Sequence, residues 1–170
     1  YSSSGIGNPQ HLAGELFNKM ASANLMHVPY RGAAQQVTDV LGNNVTATIA
    51  SYLAVSSFVE AGQVRALGVT SSERIPSLPS VPAMAEHPLL KDYDVTNWFG
   101  LFAPAKTPPA IIETLNKAVA QALANPAVAK KLEALGSYPA PSKPEDFKSF
   151  VAAESAKFKT IIVTADVKAQ

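Results

Sequence analysis

Cysteine is absent from the 170 residues, which excludes disulfides, thiolate metal centres and cysteine nucleophiles. The three histidines, His11, His27 and His87, are scattered without metal-ligand spacing, so each reads as a structural or surface residue and no metal site is expected. A charge excess is lacking too: 14 basic against 13 acidic side chains leave a net charge of +1. With no clustered Lys/Arg run and no interleaving of basic and aromatic residues, nucleic acid and anionic membrane surfaces are not expected partners. No uninterrupted apolar run is long enough for a transmembrane helix. There is no internal repeat and no low-complexity tract. An initiator Met and a signal peptide are also missing, and almost no strand precedes the first glycine loop. That start predicts further sequence, including a targeting segment, ahead of Tyr1.

What is present is a chain of one-domain length whose 47% hydrophobic content is ample for a core. Its opening stretch organises the rest: Tyr1-Ser-Ser-Ser-Gly-Ile-Gly-Asn-Pro-Gln-His-Leu-Ala-Gly14. Asn8 suits an N-cap, and Pro9 suits the first helical position, where a missing N–H costs nothing. Leu12, Leu16, Phe17 and Met20 follow at helical spacing as one apolar stripe. Ahead of the cap, small residues let backbone N–H groups approach an anion at the positive end of the helix dipole. Taken alone, such a turn is a weak motif, because ordinary strand-to-helix connections look the same.

Further along, residues 25–30 read as a short strand after a stop at Asn24. A second helix opens at residues 31–33, carries Val37, Val40 and Leu41, and ends at Gly42 in the C′ position. Residues 45–50 alternate and include β-branched side chains, the mark of a strand. A third helix covers 52–61 with Val55, Phe58 and Val59 inward, and residues 64–70 form the next strand. Strand and helix alternate with short connections, which predicts a parallel α/β sheet with right-handed crossovers. Open sheets of this kind bind ligands outside the carboxyl ends of their strands. Residues 3–8, 29–33, 50–52 and 70–74 are expected to meet there. A Pro-rich excursion over 75–90 excludes a long helix. An apolar strand over 94–104 follows, and then helices over 109–124, from the Asn125-Pro126 cap to Gly136, and over 144–163. The last part has too little strand for a sheet of its own, so its helices need another sheet to cover.

Enzymatic readings find little to stand on. Ser2–Ser4 and His11 offer a hydroxyl and a base, but the G-x-S-x-G elbow is missing and no acidic residue is marked to orient the histidine. His11 reads instead as a donor to a ligand or to a neighbouring loop. A phosphate-binding loop would end in Gly-Lys-Ser/Thr, which Gly7-Asn-Pro does not. No carboxylate pair for acid–base work and no cofactor fingerprint is evident. Tyr30 and Arg31 place a phenol and a guanidinium at a strand end, where Arg could grip an anion bidentately; a surface Arg is as common there. Trp98 and Phe99 read as core aromatics.

Several stretches in the right order carry a resemblance. Ser3-Ser-Gly-Ile-Gly-Asn-Pro-Gln-His-Leu-Ala-Gly-Glu-Leu-Phe17, His27-Val-Pro-Tyr-Arg-Gly32, Gly62-Gln-Val-Arg-Ala-Leu-Gly-Val-Thr-Ser71, Leu78-Pro-Ser-Val-Pro82 and Trp98-Phe-Gly-Leu-Phe-Ala-Pro104 resemble the Bug/TctC family. These are the periplasmic solute-binding receptors of tripartite tricarboxylate transporters. The resemblance implies a lobe of the type II periplasmic-binding-protein kind over residues 1–92, including the Pro-rich excursion. Residues 93–170 would be a crossover strand and helices that return to a first lobe lying outside this sequence. It further implies a non-enzymatic receptor that needs no cofactor, clamps a small carboxylate between its lobes and delivers it to membrane permease subunits. The ligand contacts of this lobe would be Ser3, Ser4, Gly5, Gly7 and His11 in the opening loop, Tyr30 and Arg31 in the next, and Ala50 and Ser51 in the third. Thr46 stands where many relatives have Asp. Ala50 stands near the place where receptors for amino-dicarboxylates carry an Asp that pairs with the ammonium. The rival from another class is the effector-sensing domain of a transcription regulator, which shares the two-lobe fold and would follow a helix-turn-helix. By itself the chain is expected to pair with a separate fragment, or with a second copy as a dimer through its C-terminal part.

Overall fold

The computed structural model describes residues 1–167, and the chain divides into two compact units. The first comprises Tyr1–Asn97 together with the residues from Phe158 onward, and the second Trp98–Lys157.

In the first unit, strand β1 (Ser2–Ser3) pairs in parallel with β2 (Val28–Pro29), Ser2 opposite Val28 and Ser3 opposite Pro29. On its other edge Ser2 bridges Thr48, also in parallel. The ladder is short but regular. Val28 N–H donates to Tyr1 O (2.8 Å) and Tyr30 N–H to Ser3 O (3.0 Å) on one side. On the other, Ser2 N–H donates to Ala47 O (2.9 Å) and Ile49 N–H to Ser2 O (3.1 Å). The expected parallel α/β sheet is present, then, with β1 in its centre and little length. Residues 45–50 contribute one bridge rather than a full strand. Residues 64–70 contribute another, between Val69 and Ala83, apart from the first ladder.

β1, β2 and the bridge at Thr48 are each followed by a helix: α1 (Pro9–Ala21), α2 (Ala33–Leu41) and α3 (Tyr52–Glu60). Helix α1 stops earlier than Asn24, at Ser22, which takes the left-handed conformation (φ 50°). Gly42 closes α2 without a positive φ; the left-handed residue there is Asn43 (φ 57°), whose side chain tolerates it. The Pro-rich excursion holds two single turns of 3₁₀ helix, Met84–Glu86 and Pro88–Leu90. The core joins Leu12 and Ala13 of α1 to Leu90, Tyr93, Val95 and Ile161. Tyr93 is fully buried and donates its hydroxyl proton to Ala13 O at 2.7 Å, so its one polar atom is satisfied.

The second unit holds α4 (Pro109–Ala124), α5 (Pro126–Ala134) and most of α6 (Pro144–Thr164), each with a Pro in its first turn. Asn125 caps α5 by accepting from Ala127 N–H at 2.9 Å. Trp98, Phe102, Phe147 and Phe150 make edge and tilted ring contacts at 5.3–5.9 Å. A Cβ on Gly100 would lie 2.2 Å from the Phe147 ring, so only glycine lets that ring approach the backbone. No apolar side chain of this unit is buried among the described residues, and Phe99 is 89% exposed. Residues 94–104, expected as a strand, run without a ladder, because no neighbouring strand offers them one.

Candidate functional site

Parallel pairing sends the carboxyl ends of all three paired segments to the same edge of the sheet. Residues 4–8, 30–32 and 50–51 therefore emerge side by side, each leading into a helix N-terminus. The first two loops are also joined directly, by Gly32 N–H donating to Ser4 O at 3.3 Å. Ser3, Ser4, Gly5, Gly7, His11, Tyr30, Arg31, Ala50 and Ser51 all lie in or beside these loops. Residues 70–74 do not join this ladder; Arg74 there is committed to Glu86 through two contacts of 2.7 Å. Glu86, with Arg74 and the Ala83 amide on its oxygens, is held down to about 2.

The opening loop is shaped by its own side chains. Gln10 Oε1 accepts from both Ser4 N–H (2.9 Å) and Ser4 Oγ (2.7 Å), and Asn8 Nδ2 donates to Ser4 Oγ (2.8 Å). Asn8 Oδ1 caps α1 by accepting from His11 N–H at 2.9 Å. Gly7 adopts φ 76° with nothing within 4 Å of where a Cβ would stand, so glycine is required by the backbone and not by crowding. Its N–H donates to His11 Nδ1 at 3.0 Å. Sequence reasoning casts His11 as a donor; toward its own loop the ring accepts, through Nδ1. No protein group accepts from the amides of Ile6 and Asn8 among the described residues.

His11 stacks on His27 with ring centroids 3.9 Å apart and planes at 13°, and Tyr1 also stacks on His27, at 4.9 Å. His27 Nε2 lies 2.7 Å from Ser3 Oγ, which in turn donates to Gly5 O at 2.9 Å. Burial lowers both imidazoles below the ordinary histidine value, and His27, with His11 beside it, falls to about 4. Glu15 pulls the other way, but its Oε1 is already the acceptor for the Tyr1 hydroxyl at 2.7 Å.

The remaining loops are simpler. The Tyr30 hydroxyl donates to Asp39 Oδ2 at 2.7 Å, which raises its pKa and removes the proton from use elsewhere. Arg31 is exposed and makes no ion pair among the described residues. Gly32 and Ser51 stand at the N-cap positions of α2 and α3 without a side-chain capping bond; in α3 the Ala54 amide is taken by Ser51 O at 3.0 Å. The three loops contain no carboxylate. Hydroxyls, amides, helix N-termini and one guanidinium at a shared edge make a surface for an anion.

Two side chains that sequence reasoning missed hold this edge together. Gln10 is one. The other is Gln36, fully buried, whose Nε2 donates to Thr48 Oγ1 (2.6 Å) and Ile49 O (2.7 Å) and reaches Ser2 O at 3.4 Å. Its spacing of four before Val40 puts it on the inward face of α2, a signal the sequence does contain.

The sequence profile described as "Tripartite tricarboxylate transporter family receptor" matches residues 1–167. The chain belongs to this family. It is 38% identical over 96% of its length to the UPF0065 protein in the tcbD-tcbE intergenic region of a Pseudomonas species, and 34% identical over 92% to Protein BugT of Bordetella pertussis. It spans 48% of each of those two proteins, about half their length. Among solved structures, an R. palustris protein with adipate matches with a TM-score of 0.86 and 34% identity, covering 98% of this chain and 56% of that one. The periplasmic binding protein BugD matches at 0.77 and 29%, covering 99% and 57%. MatC of Rhodopseudomonas palustris, with bound malate, matches at 0.75 and 26%, covering 95% and 55%. The tricarboxylate transporter receptor family thus accounts for the fold: these neighbours include periplasmic binding proteins of the same mixed α/β kind.

Proposed function

We propose that the chain is part of a periplasmic receptor that captures a small organic carboxylate without turning it over, and hands it to the membrane permease of a tripartite tricarboxylate-type transporter. Residues 1–92 are read as one ligand-binding lobe, and residues 93–170 as the crossover strand and helices that return to the first lobe, which lies outside this sequence. The observation that carries the reading is the carboxylate-free edge where the loops at 4–8, 30–32 and 50–51 meet, in a chain of this receptor family. Ser3, Ser4, Gly5, Gly7 and His11 shape its first wall, Tyr30 and Arg31 its second, Ala50 and Ser51 its third. Adipate and malate, the ligands of two structural neighbours, support a carboxylate as the ligand class.

With Ala50 in the third loop and no acidic side chain in any of the three, an ammonium group would be buried without a partner, which is costly. Calorimetry on the whole protein with adipate, malate and aspartate should give the tighter binding to the plain dicarboxylates. Gly7→Val, which strains the left-handed φ of the opening loop, should reduce that affinity by about tenfold or more while leaving the protein folded. Aspartate as the tightest ligand, or a folded Gly7→Val protein of unchanged affinity, overturns the reading.

A further inference from the structure

The two stacked histidines beside the opening loop are not needed to explain the fold, yet both are fastened to it. His11 Nδ1 accepts from Gly7 N–H at 3.0 Å. An imidazole nitrogen that accepts a hydrogen bond carries no proton, so the ring is neutral with its proton on Nε2. His27 Nε2 meets Ser3 Oγ, and Gly5 N–H also donates to that oxygen at 3.3 Å. The pair thus grips the loop at Ser3 and at Gly7, on either side of the unpartnered Ile6 amide.

We infer that His11 is a positioning residue of the anion loop, holding Gly7 only while its ring is neutral, so that carboxylate capture weakens as the ring takes up a proton. The inference rests on the proposed site. An added proton has one place to go, Nδ1, where it would point at the Gly7 N–H. Two donors cannot share that 3.0 Å contact, and the loop must let go. Every charged or titratable group facing the ring bears on the equilibrium. Glu15 of α1, 3.8 Å from Nε2, favours the charged ring. His27, stacked 3.9 Å away, resists a second charge. From the residue ahead of β1 comes the Tyr1 hydroxyl, which donates to Glu15 and lies 3.1 Å from His11 O. Burial outweighs Glu15, so the ring titrates below the ordinary histidine value and stays neutral at pH 7.

The test compares the wild type with His11→Asn in the whole protein. The Asn oxygen can accept from Gly7 in place of Nδ1 but does not titrate. Affinity for adipate and for malate is measured by calorimetry from pH ~7.5 to ~4.5, as a ratio of the two proteins at each pH, so that protonation of the ligand itself cancels. The wild type should lose about fivefold or more relative to His11→Asn as pH falls, the loss expected for about one hydrogen bond. In the wild type without ligand, the Gly7 amide resonance should titrate together with the His11 ring. Parallel pH profiles in the two proteins, or a Gly7 amide that ignores the titration of His11, overturn the inference. If neither dicarboxylate binds at any pH, the proposed site fails instead, and the Gly7 amide still decides whether the ring locks the loop. If His11→Asn does not fold, the same wild-type titration decides.

Discussion

At the scale of single residues, the site depends on polar groups whose hydrogen bonds are already assigned, and His27 ties one of them to pH. Its pKa in the folded protein is depressed to about 4 from an ordinary 6.5. The unfolded chain therefore binds more protons at mildly acidic pH, and stability falls with pH. His27's contribution is fully present above about 6.5 and is lost between there and about 4; His11 acts in the same direction. Urea midpoints should drop on going from pH ~7 to ~4.5, and His27→Gln, which keeps a polar group near Ser3 Oγ without titrating, should flatten that slope. An identical slope in the variant would remove His27 from the account. The stack itself is not legible in the sequence. His11 and His27 stand 16 positions apart, and only the parallel pairing of β1 with β2 brings them together. The small-residue loop is legible, because Ser, Gly, Asn-Pro and an apolar stripe are local signals. Gln36 is half-legible: its place on the inward face can be read, its three acceptors cannot.

At the scale of elements, helices and strands are legible to different degrees for a physical reason. A helix announces its start locally, and the Asn-Pro steps at Asn8 and Asn125 mark α1 and α5 as the sequence implies. A strand exists only if a neighbour pairs with it. Residues 45–50 and 64–70 have the right composition but find partners at single positions, and residues 94–104 find no ladder at all. The two caps also provide a matched test. Replacing either Asn by Ala removes a side-chain acceptor from a helix N-terminus, at a cost of about 1 kcal/mol of stability. Asn8→Ala additionally removes one of the two bonds that hold Ser4 Oγ and should weaken carboxylate binding, whereas Asn125→Ala in the second unit should not. Chemical denaturation together with calorimetry separates the two effects; equal affinities in both variants would show that the opening loop does not hold the ligand.

At the scale of the whole molecule, the two units differ in what they bury. The first has a core around Leu12 and Tyr93, while in the second Phe99, Leu101, Phe102, Ile111, Leu115 and Phe150 remain exposed. Soluble monomers rarely leave so many large apolar side chains of one unit in water, and each Å² covered is worth about 25 cal/mol. A protein of these 170 residues alone should therefore associate, with a complementary fragment or with a second copy. Light scattering coupled to size exclusion should give a mass above the monomer's 17.9 kDa, and a monodisperse monomer would contradict the expectation. The edge of the first unit behaves differently, because its loops are stitched through the sheet itself. The amides of Tyr30 and Gly32 are spent on the carbonyls of Ser3 and Ser4, so these two loops cannot part unless β1 unzips. Along this seam softness and integrity of the fold are then one quantity: if the proposed function holds, new ligands cannot be accommodated by parting these two loops, and a change of specificity has to come from the side chains placed on them or from the Gly7 segment.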